Sequence, residues 1–106
     1  MEKFHETIRD GTHLLYFGAT WCKNCSSIKK ELVEHKYDVQ VHLYDADEDE
    51  EEAAICGVTT LPQIQIWQDS KWVISYFGKK ECEIGITIYR HFTEEYVQNV
   101  DTEEDF

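Results

Sequence analysis

The sequence predicts an α/β domain in which about four helices flank a four-stranded mixed sheet, with two parallel strands followed by an antiparallel hairpin. Three observations predict it: a strand–helix–strand pattern over residues 14–44, a hairpin pattern over 63–77, and amphipathic helical spacing around both. A chain of 106 residues is long enough for one domain with its own hydrophobic core. We assign residues 1–100 to this domain and residues 101–106 to an acidic, frayed tail.

The first half of the chain alternates helical and strand patterns. Residues 2–9 have apolar side chains four apart, as in a short amphipathic helix. Residues 14–17 are all apolar, which is typical of a strand buried on both faces of a sheet. Residues 26–36 have helical spacing, and residues 39–44 alternate apolar and polar side chains. A strand–helix–strand unit of this kind has parallel strands and a right-handed crossover.

The second half contains the only proline and the longest helical pattern. Pro62 precedes an alternating segment, residues 63–67, and a turn leads to a second strand over 72–77. Residues 81–97 then predict a long helix, although Gly85 weakens its helical propensity. Its apolar face is marked by side chains at fourfold spacing: Ile84, Ile88, Phe92 and Tyr96.

The chain is strongly acidic, with 22 acidic and 10 basic residues and a formal net charge of -12. Such a surface repels phosphate backbones and anionic lipids, so we expect neither nucleic acid nor membrane partners. Residues 45–52 are the most acidic stretch and precede a short helix with Gly57 as its C-cap. They are either a solvated face or a docking surface for a basic partner.

Cysteine usage indicates a reducing compartment. The four cysteines include one CxxC pair, and neither a signal-like apolar run nor a membrane span is present in the sequence. This combination favours redox chemistry over a secreted disulfide framework. We therefore expect a cytoplasmic, monomeric protein.

The CxxC pair lies in the run Trp21-Cys22-Lys23-Asn24-Cys25, directly after the first predicted strand. Thiols at positions i and i+3 are expected to lie on one face at the start of a helix, close enough to form a disulfide. The alternatives are half of a zinc site and an inert remnant. A structural zinc site needs four ligands, but Cys56 and Cys82 are single, so no metal is expected. The histidines show no ligand spacing and have no expected role: His5, His13, His35, His42 and His91.

Three blocks carry a family resemblance: residues 17–25, Thr60-Leu61-Pro62 and Phe77-Gly78. Together they resemble the thioredoxin superfamily, and the resemblance implies the thioredoxin fold in a minimal form. The family's full-length members begin with an extra strand, which the position of Cys22 leaves no room for. Many thioredoxins also carry a buried Asp where this chain has Tyr16, as tryparedoxin-like and nucleoredoxin-like members do.

The resemblance implies a reductase of protein disulfides that contributes to cell redox homeostasis. Cys22 is the expected nucleophile and Cys25 the resolving thiol, with a cis Pro62 beside them. Substrate contacts are implied for Trp21, Thr60, Leu61 and Pro62. The residues expected to tune the pair are Tyr16, Lys23 and Asn24. No cofactor is expected beyond the redox-active disulfide, and the partners are disulfide-containing proteins and an upstream reductase.

Several alternatives remain open at this point. The alternatives to a reductase are a binding adaptor with this fold, an oxidase and an isomerase. Tyr16 is either plain core or places its hydroxyl near Cys25. Cys56 is expected to be a partly buried structural thiol rather than a redox participant. Cys82 is expected to be exposed and without function, though open to intermolecular disulfides.

Overall fold

The computed structural model describes residues 2–91, which form four helices and four strands. In chain order these are α1 (Glu2–Thr7), β1 (Thr12–Gly18), α2 (Cys25–Glu34), β2 (Gln40–Asp45), α3 (Glu50–Ile55), β3 (Gln63–Gln68), β4 (Lys71–Phe77) and α4 (Gly78–Tyr89). The predicted order of elements is confirmed, while residues 101–106, predicted as a tail, lie outside the described range. Within that range no helix has the length and apolar character to cross a membrane.

The strands form a single mixed sheet in the order β2-β1-β3-β4. β1 and β2 are parallel, whereas β3 is antiparallel to both β1 and β4, as predicted. The carboxyl ends of parallel strands meet at one edge of a sheet, and here Gly18 lies opposite Asp45. A backbone hydrogen bond of 2.8 Å from Ala46 N–H to the Gly18 carbonyl joins the two strand ends. The CxxC run begins at this edge.

Alternate residues of β1 belong to two hydrophobic cores, one on each face of the sheet. Leu14 and Tyr16 pack with apolar side chains of α2 and α4. Leu15 and Phe17 pack with those of α1 and α3. The prediction that this strand is buried on both faces is therefore confirmed, and it makes β1 a rigid support for the residues that follow it.

The last helix begins earlier than predicted. It starts at Gly78 rather than at residue 81, directly after β4, and it ends at Tyr89. Arg90 has extended backbone angles and forms an isolated bridge with Tyr37. Phe92 and Tyr96, which were predicted to extend the apolar face, lie outside the described residues.

The buried face of α4 is also different from the predicted one. Ile84 and Ile88 are 57% and 60% exposed, whereas Gly85 and Ile86 are buried against the sheet. A Cβ atom at Gly85 would come within 2.7 Å of the Tyr76 ring on β4. This close approach fixes the rotation of the helix, and fourfold apolar spacing alone does not reveal it.

A pair of histidines connects β1 and β2 at the end of the sheet opposite the CxxC. His13 is buried, and its Nε2 lies 2.8 Å from the carbonyl oxygen of Asp10. A carbonyl only accepts, so His13 Nε2 carries the hydrogen, and its Nδ1 accepts from His42 Nε2 at 2.9 Å. Burial first, and the neighbouring His13 second, lower the pKa of His42 below 6.5.

This pair predicts that the protein loses stability as the pH falls below about 6.5. A histidine with a lowered folded pKa binds fewer protons in the folded chain than in the unfolded chain, so the free energy of unfolding rises with pH in this window. The linkage limit for one site is about 1.4 kcal/mol per pH unit. We expect a lower urea midpoint at pH 5.5 than at pH 7.5, and a smaller difference in His42→Gln. An equal difference in that variant would contradict the assignment.

Candidate active site

The two thiols of the CxxC motif are joined as a disulfide at the end of β1. Their Cα atoms are 5.3 Å apart. Cys25 is the first residue of α2, but Cys22 precedes the helix in a turn, where its N–H donates to Ala19 O at 3.1 Å. The prediction that both sulfurs lie on one helix face is therefore wrong for Cys22. A turn serves the same purpose because the Cys25 N–H donates to the Cys22 carbonyl at 3.2 Å.

The two sulfurs differ in their access to solvent. Cys22 is partly exposed, whereas only 1% of Cys25 is exposed and it belongs to the core between the sheet and α2. In the described α2, the first turn holds no acidic residue, and Asn24 at the N-cap makes no side-chain capping bond. Lys23 is exposed beside Cys22. This helix start therefore favours negative charge on the preceding thiol.

Tyr16 lies beneath the disulfide. It is buried in the core, and its hydroxyl donates to the carbonyl oxygen of Cys25 at 3.0 Å. Both interpretations of this residue are thus correct, but the hydroxyl binds the backbone of Cys25. Burial is the main cause that raises the pKa of Tyr16 to about 12, with smaller contributions from Cys82 and Asp45. The phenol consequently keeps its proton and acts as a hydrogen-bond donor.

Gly18 provides the space that Tyr16 occupies. A Cβ atom at position 18 would overlap both the hydroxyl oxygen and Cζ of the Tyr16 ring. Gly18 is buried at the end of β1. The backbone can therefore approach the phenol only because this position has no side chain.

The loop before β3 holds Pro62 in the predicted cis form. The Leu61–Pro62 peptide bond is cis, and Pro62 is fully buried. Its carbonyl oxygen accepts the Gly78 N–H at 2.9 Å, which ties the loop to the β4–α4 junction. Thr60 is exposed and Leu61 is partly buried. Leu61 packs against both core clusters, and it shares one of them with Cys22 and Cys25.

The remaining cysteines are both shielded from solvent. Cys82 is fully buried, and its Sγ lies 3.7 Å from the Pro62 carbonyl oxygen, so the prediction of an exposed thiol is wrong. Because α4 begins at Gly78, Cys82 falls one turn into the helix on its core side. Cys56 is partly buried, as predicted. Burial is the largest cause that raises the pKa of each thiol to about 12, which suppresses thiolate formation near neutral pH.

Trp21 is held in place by Asp47, which is not among the predicted site residues. The ring is 69% exposed, and its indole N–H donates to Asp47 Oδ2 at 2.7 Å. Asp47 follows β2, whose carboxyl end lies beside that of β1. The sequence contained a signal for this residue. Acidic residues directly after β2 lie at the same edge of the sheet as the CxxC, because the CxxC follows the parallel strand β1.

A cavity of about 530 Å³ lies against the buried thiol. Its walls come from β1, the first turns of α2 and the end of β2 with the following turn. Among them are Tyr16, Cys25, Lys29, Asp45 and Glu48. Within residues 2–91, no group of three or more His, Cys, Asp or Glu side chains is arranged to hold a metal ion.

The fold recurs in solved structures. Schistosoma mansoni thioredoxin is 28% identical, with a TM-score of 0.67 over 82% of this chain and 84% of that chain. Fasciola hepatica thioredoxin is 27% identical, with a TM-score of 0.61 over 83% and 89%. Mitochondrial thioredoxin 3 from Saccharomyces cerevisiae, in its oxidised form, is 25% identical, with a TM-score of 0.67 over 82% and 88%. A comparison with curated proteins gave no match.

The fold, the disulfide between Cys22 and Cys25 and these structural relatives define a thiol–disulfide oxidoreductase with the thioredoxin fold. The family model described as Thioredoxin matches residues 1–89. The chain therefore belongs to the thioredoxin family.

Proposed function

We propose that this oxidoreductase works in the reducing direction, as a reductase of disulfides in other proteins. The observation that carries the proposal is the unequal exposure of a bonded thiol pair: Cys22 is reachable from solvent and Cys25 is buried. A protein disulfide is bulky, so its sulfur reaches only Cys22. The buried partner is then kept for the second, intramolecular step.

Reduction proceeds in two balanced exchanges. The Cys22 thiolate attacks one sulfur of the substrate disulfide; a Cys22–substrate bond forms, the substrate bond breaks and one substrate thiolate leaves. Cys25 then loses its proton and attacks Cys22 Sγ. The Cys22–Cys25 bond forms, the second substrate thiolate leaves, and the two electrons that reduced the substrate come from the dithiol.

The surface around Cys22 suits an extended polypeptide. Trp21 offers a flat apolar face, and Asp47 holds its ring. Within the described residues, no hydrogen bond uses the peptide groups of Thr60 or Leu61. Free peptide groups in the loop before β3 favour strand addition by a substrate segment. The loop is tied down at its end, where the Pro62 carbonyl accepts the Gly78 N–H.

Each cycle leaves the Cys22–Cys25 disulfide, so the protein needs an upstream reductase as a partner. The proposed location is the cytoplasm or a similarly reducing compartment, where dithiols are kept reduced. We propose that it acts as a monomer without a cofactor beyond the disulfide itself. The net charge of -12 favours partners with a basic surface and disfavours nucleic acid and membranes.

Turnover of a protein disulfide tests the proposal. Reduced protein is mixed with insulin and dithiothreitol, and reduction of insulin is followed by precipitation of its chains. We expect catalysis by the wild type and none by Cys22→Ser. If the wild type gives no turnover but binds partners through the same surface, the protein is an adaptor and not a reductase. Reshuffling of disulfides without net reduction would instead indicate an isomerase.

A further inference from the structure

The cavity beside Cys25 contains several groups that can exchange protons. The proposed second exchange requires the buried Cys25 thiol to lose its proton, and this thiol lines the cavity. A volume of about 530 Å³ is ample for bridging water molecules, and the walls are polar enough to bind them. The titratable groups that face it come from three elements and one turn: Tyr16, Lys29, Tyr44, Asp45, Glu48 and Asp49.

Most of these groups are unsuited to accept the proton. Tyr16 is closest to Cys25, but its hydroxyl already donates to the Cys25 carbonyl, and its pKa of about 12 keeps it protonated. Burial and the carboxylates around it raise the pKa of Tyr44 to about 12 as well. Lys29 is a cation, and it is exposed together with Glu48 at the outer wall. Asp49 also has one carboxylate oxygen bonded, since its Oδ2 accepts the Asp45 N–H at 2.8 Å, but its charge acts on Tyr44 and not on Tyr16.

Asp45 is fixed and available, and among the carboxylates of the cavity it is the one whose charge acts on Tyr16 beside Cys25. It is the last residue of β2, partly buried and opposite Gly18. Its Oδ1 accepts the N–H groups of Asp47 and Glu48 at 2.8 and 3.2 Å. None of the hydrogen bonds within residues 2–91 uses Oδ2. The carboxylate is therefore held by the turn with one oxygen open.

The position of Asp45 also places its charge near the thiol. It lines the same cavity as Cys25, and its charge contributes to the raised pKa of Tyr16. The Tyr16 hydroxyl is itself hydrogen-bonded to the backbone of Cys25. Asp45, Tyr16 and Cys25 thus line one cavity, with the phenol bonded to the Cys25 backbone.

We propose that Asp45 accepts the proton of Cys25, through water in this cavity, when Cys25 attacks the mixed disulfide. The proposal rests on the two-step exchange at Cys22 and Cys25. The Cys25 thiol gives H⁺ to the Asp45 carboxylate, the thiolate forms the bond to Cys22 Sγ, and the substrate leaves as a thiolate. The proton then passes from the Asp45 carboxyl group to this thiolate or to solvent. Tyr16 positions the Cys25 backbone and keeps its own proton throughout.

The test separates the two exchanges with a small disulfide that releases a coloured thiolate, 5,5′-dithiobis(2-nitrobenzoate). Attack by Cys22 releases the first thiolate and attack by Cys25 releases the second. In Asp45→Asn, the amide oxygen still accepts from the turn but the base is lost. We expect an unchanged first phase and a second phase at least about tenfold slower at pH 7, since a positioned base contributes about 10²–10⁴-fold.

The pH profile distinguishes proton transfer from a structural effect. With Asp45 as base, the second phase in the wild type stays nearly constant between pH 6 and 8. Without the base, the rate follows the thiolate fraction of the Cys25 thiol, and it rises about tenfold per pH unit. Asp45→Glu is expected to restore part of the flat profile.

Glu48→Gln is the matched control, because it removes one negative charge from the same cavity. Its two phases should match those of the wild type. The proposal is overturned if Asp45→Asn keeps the wild-type second phase across this pH range, or if Glu48→Gln slows it equally. The assay needs only Cys22 and Cys25 and no protein substrate. If the wild type shows both phases but does not turn over insulin, the reductase function is rejected. The second phase then still tests the role of Asp45.

Discussion

Replacement of Cys25 by serine is expected to arrest the protein as a mixed disulfide between Cys22 and its substrate. Cys22 remains exposed at the start of α2 and still attacks. The buried position that supplies the second thiol then holds a hydroxyl, which cannot form a disulfide. Insulin turnover should fall on the order of 10³-fold or more, as is usual when a covalent nucleophile is removed. The trapped complex should be visible on a non-reducing gel and should dissociate with dithiothreitol.

Cys56→Ser is the matched control for this experiment, since Cys56 is also a shielded thiol but lies at the end of α3. It should form no trapped complex and should turn over at the wild-type rate. Cys22→Ser should trap nothing. A trapped complex in Cys22→Ser, with Cys25 bonded to the substrate, would reverse the assignment of the two thiols.

Gly18→Ala is expected to destabilise the fold by about 3 kcal/mol, because overpacking in a well-packed core costs about 1–3 kcal/mol and a hydrogen bond is also at risk. The new methyl group would overlap the Tyr16 hydroxyl and Cζ. To avoid it, the ring must move and lose its 3.0 Å bond to the Cys25 carbonyl, which adds about 1 kcal/mol. Urea denaturation at pH 7.5 measures the change as a lower midpoint.

A second background shows whether the clash with Tyr16 is the cause. In Tyr16→Leu, which lacks the phenol, Gly18→Ala should cost much less than it does in the wild type. The difference between the two costs is the coupling energy of a double-mutant cycle. Equal costs in both backgrounds would indicate that the backbone of Gly18, and not the Tyr16 ring, limits this position.

The parts of the structure that the sequence predicted well have strong local signals. A fully apolar run at 14–17 could only suit a strand covered on both faces, and β1 belongs to both cores. The CxxC run after it placed the disulfide, and the family resemblance implied the cis bond at the proline before β3. The sheet order follows from the parallel crossover and the hairpin.

Features that depend on tertiary packing were not predictable in the same way. The rotation of α4 is set by the contact of Gly85 with Tyr76, so apolar spacing selected the wrong face and left Cys82 on the outside. Gln63 and Gln65 are each 2% exposed in the central strand β3, although alternation with isoleucine is typical of a half-exposed strand. The burial of Gln65 is tolerated because its side-chain amide donates to the Cys56 carbonyl at 2.9 Å. The alternating pattern of β3 gives no sign of this partner.

The acidic stretch 45–52 could be interpreted only in part from the sequence. From the sequence it was either a solvated face or a docking surface for a basic partner. The structure gives individual residues separate tasks: Asp47 binds the Trp21 indole, and Asp49 accepts the Asp45 N–H. These tasks depend on the parallel pairing of β1 with β2, which brings a distant turn to the CxxC.

The reduction potential of the Cys22–Cys25 disulfide is the most direct test of the central claim that this protein reduces disulfides. It is measured by equilibrating the protein with glutathione or dithiothreitol buffers and determining the fraction of oxidised protein. A reductase should have a potential near the thioredoxin value of about -270 mV. A potential near that of protein disulfide isomerase, about -180 mV, would contradict the reducing direction and assign the protein to oxidative folding.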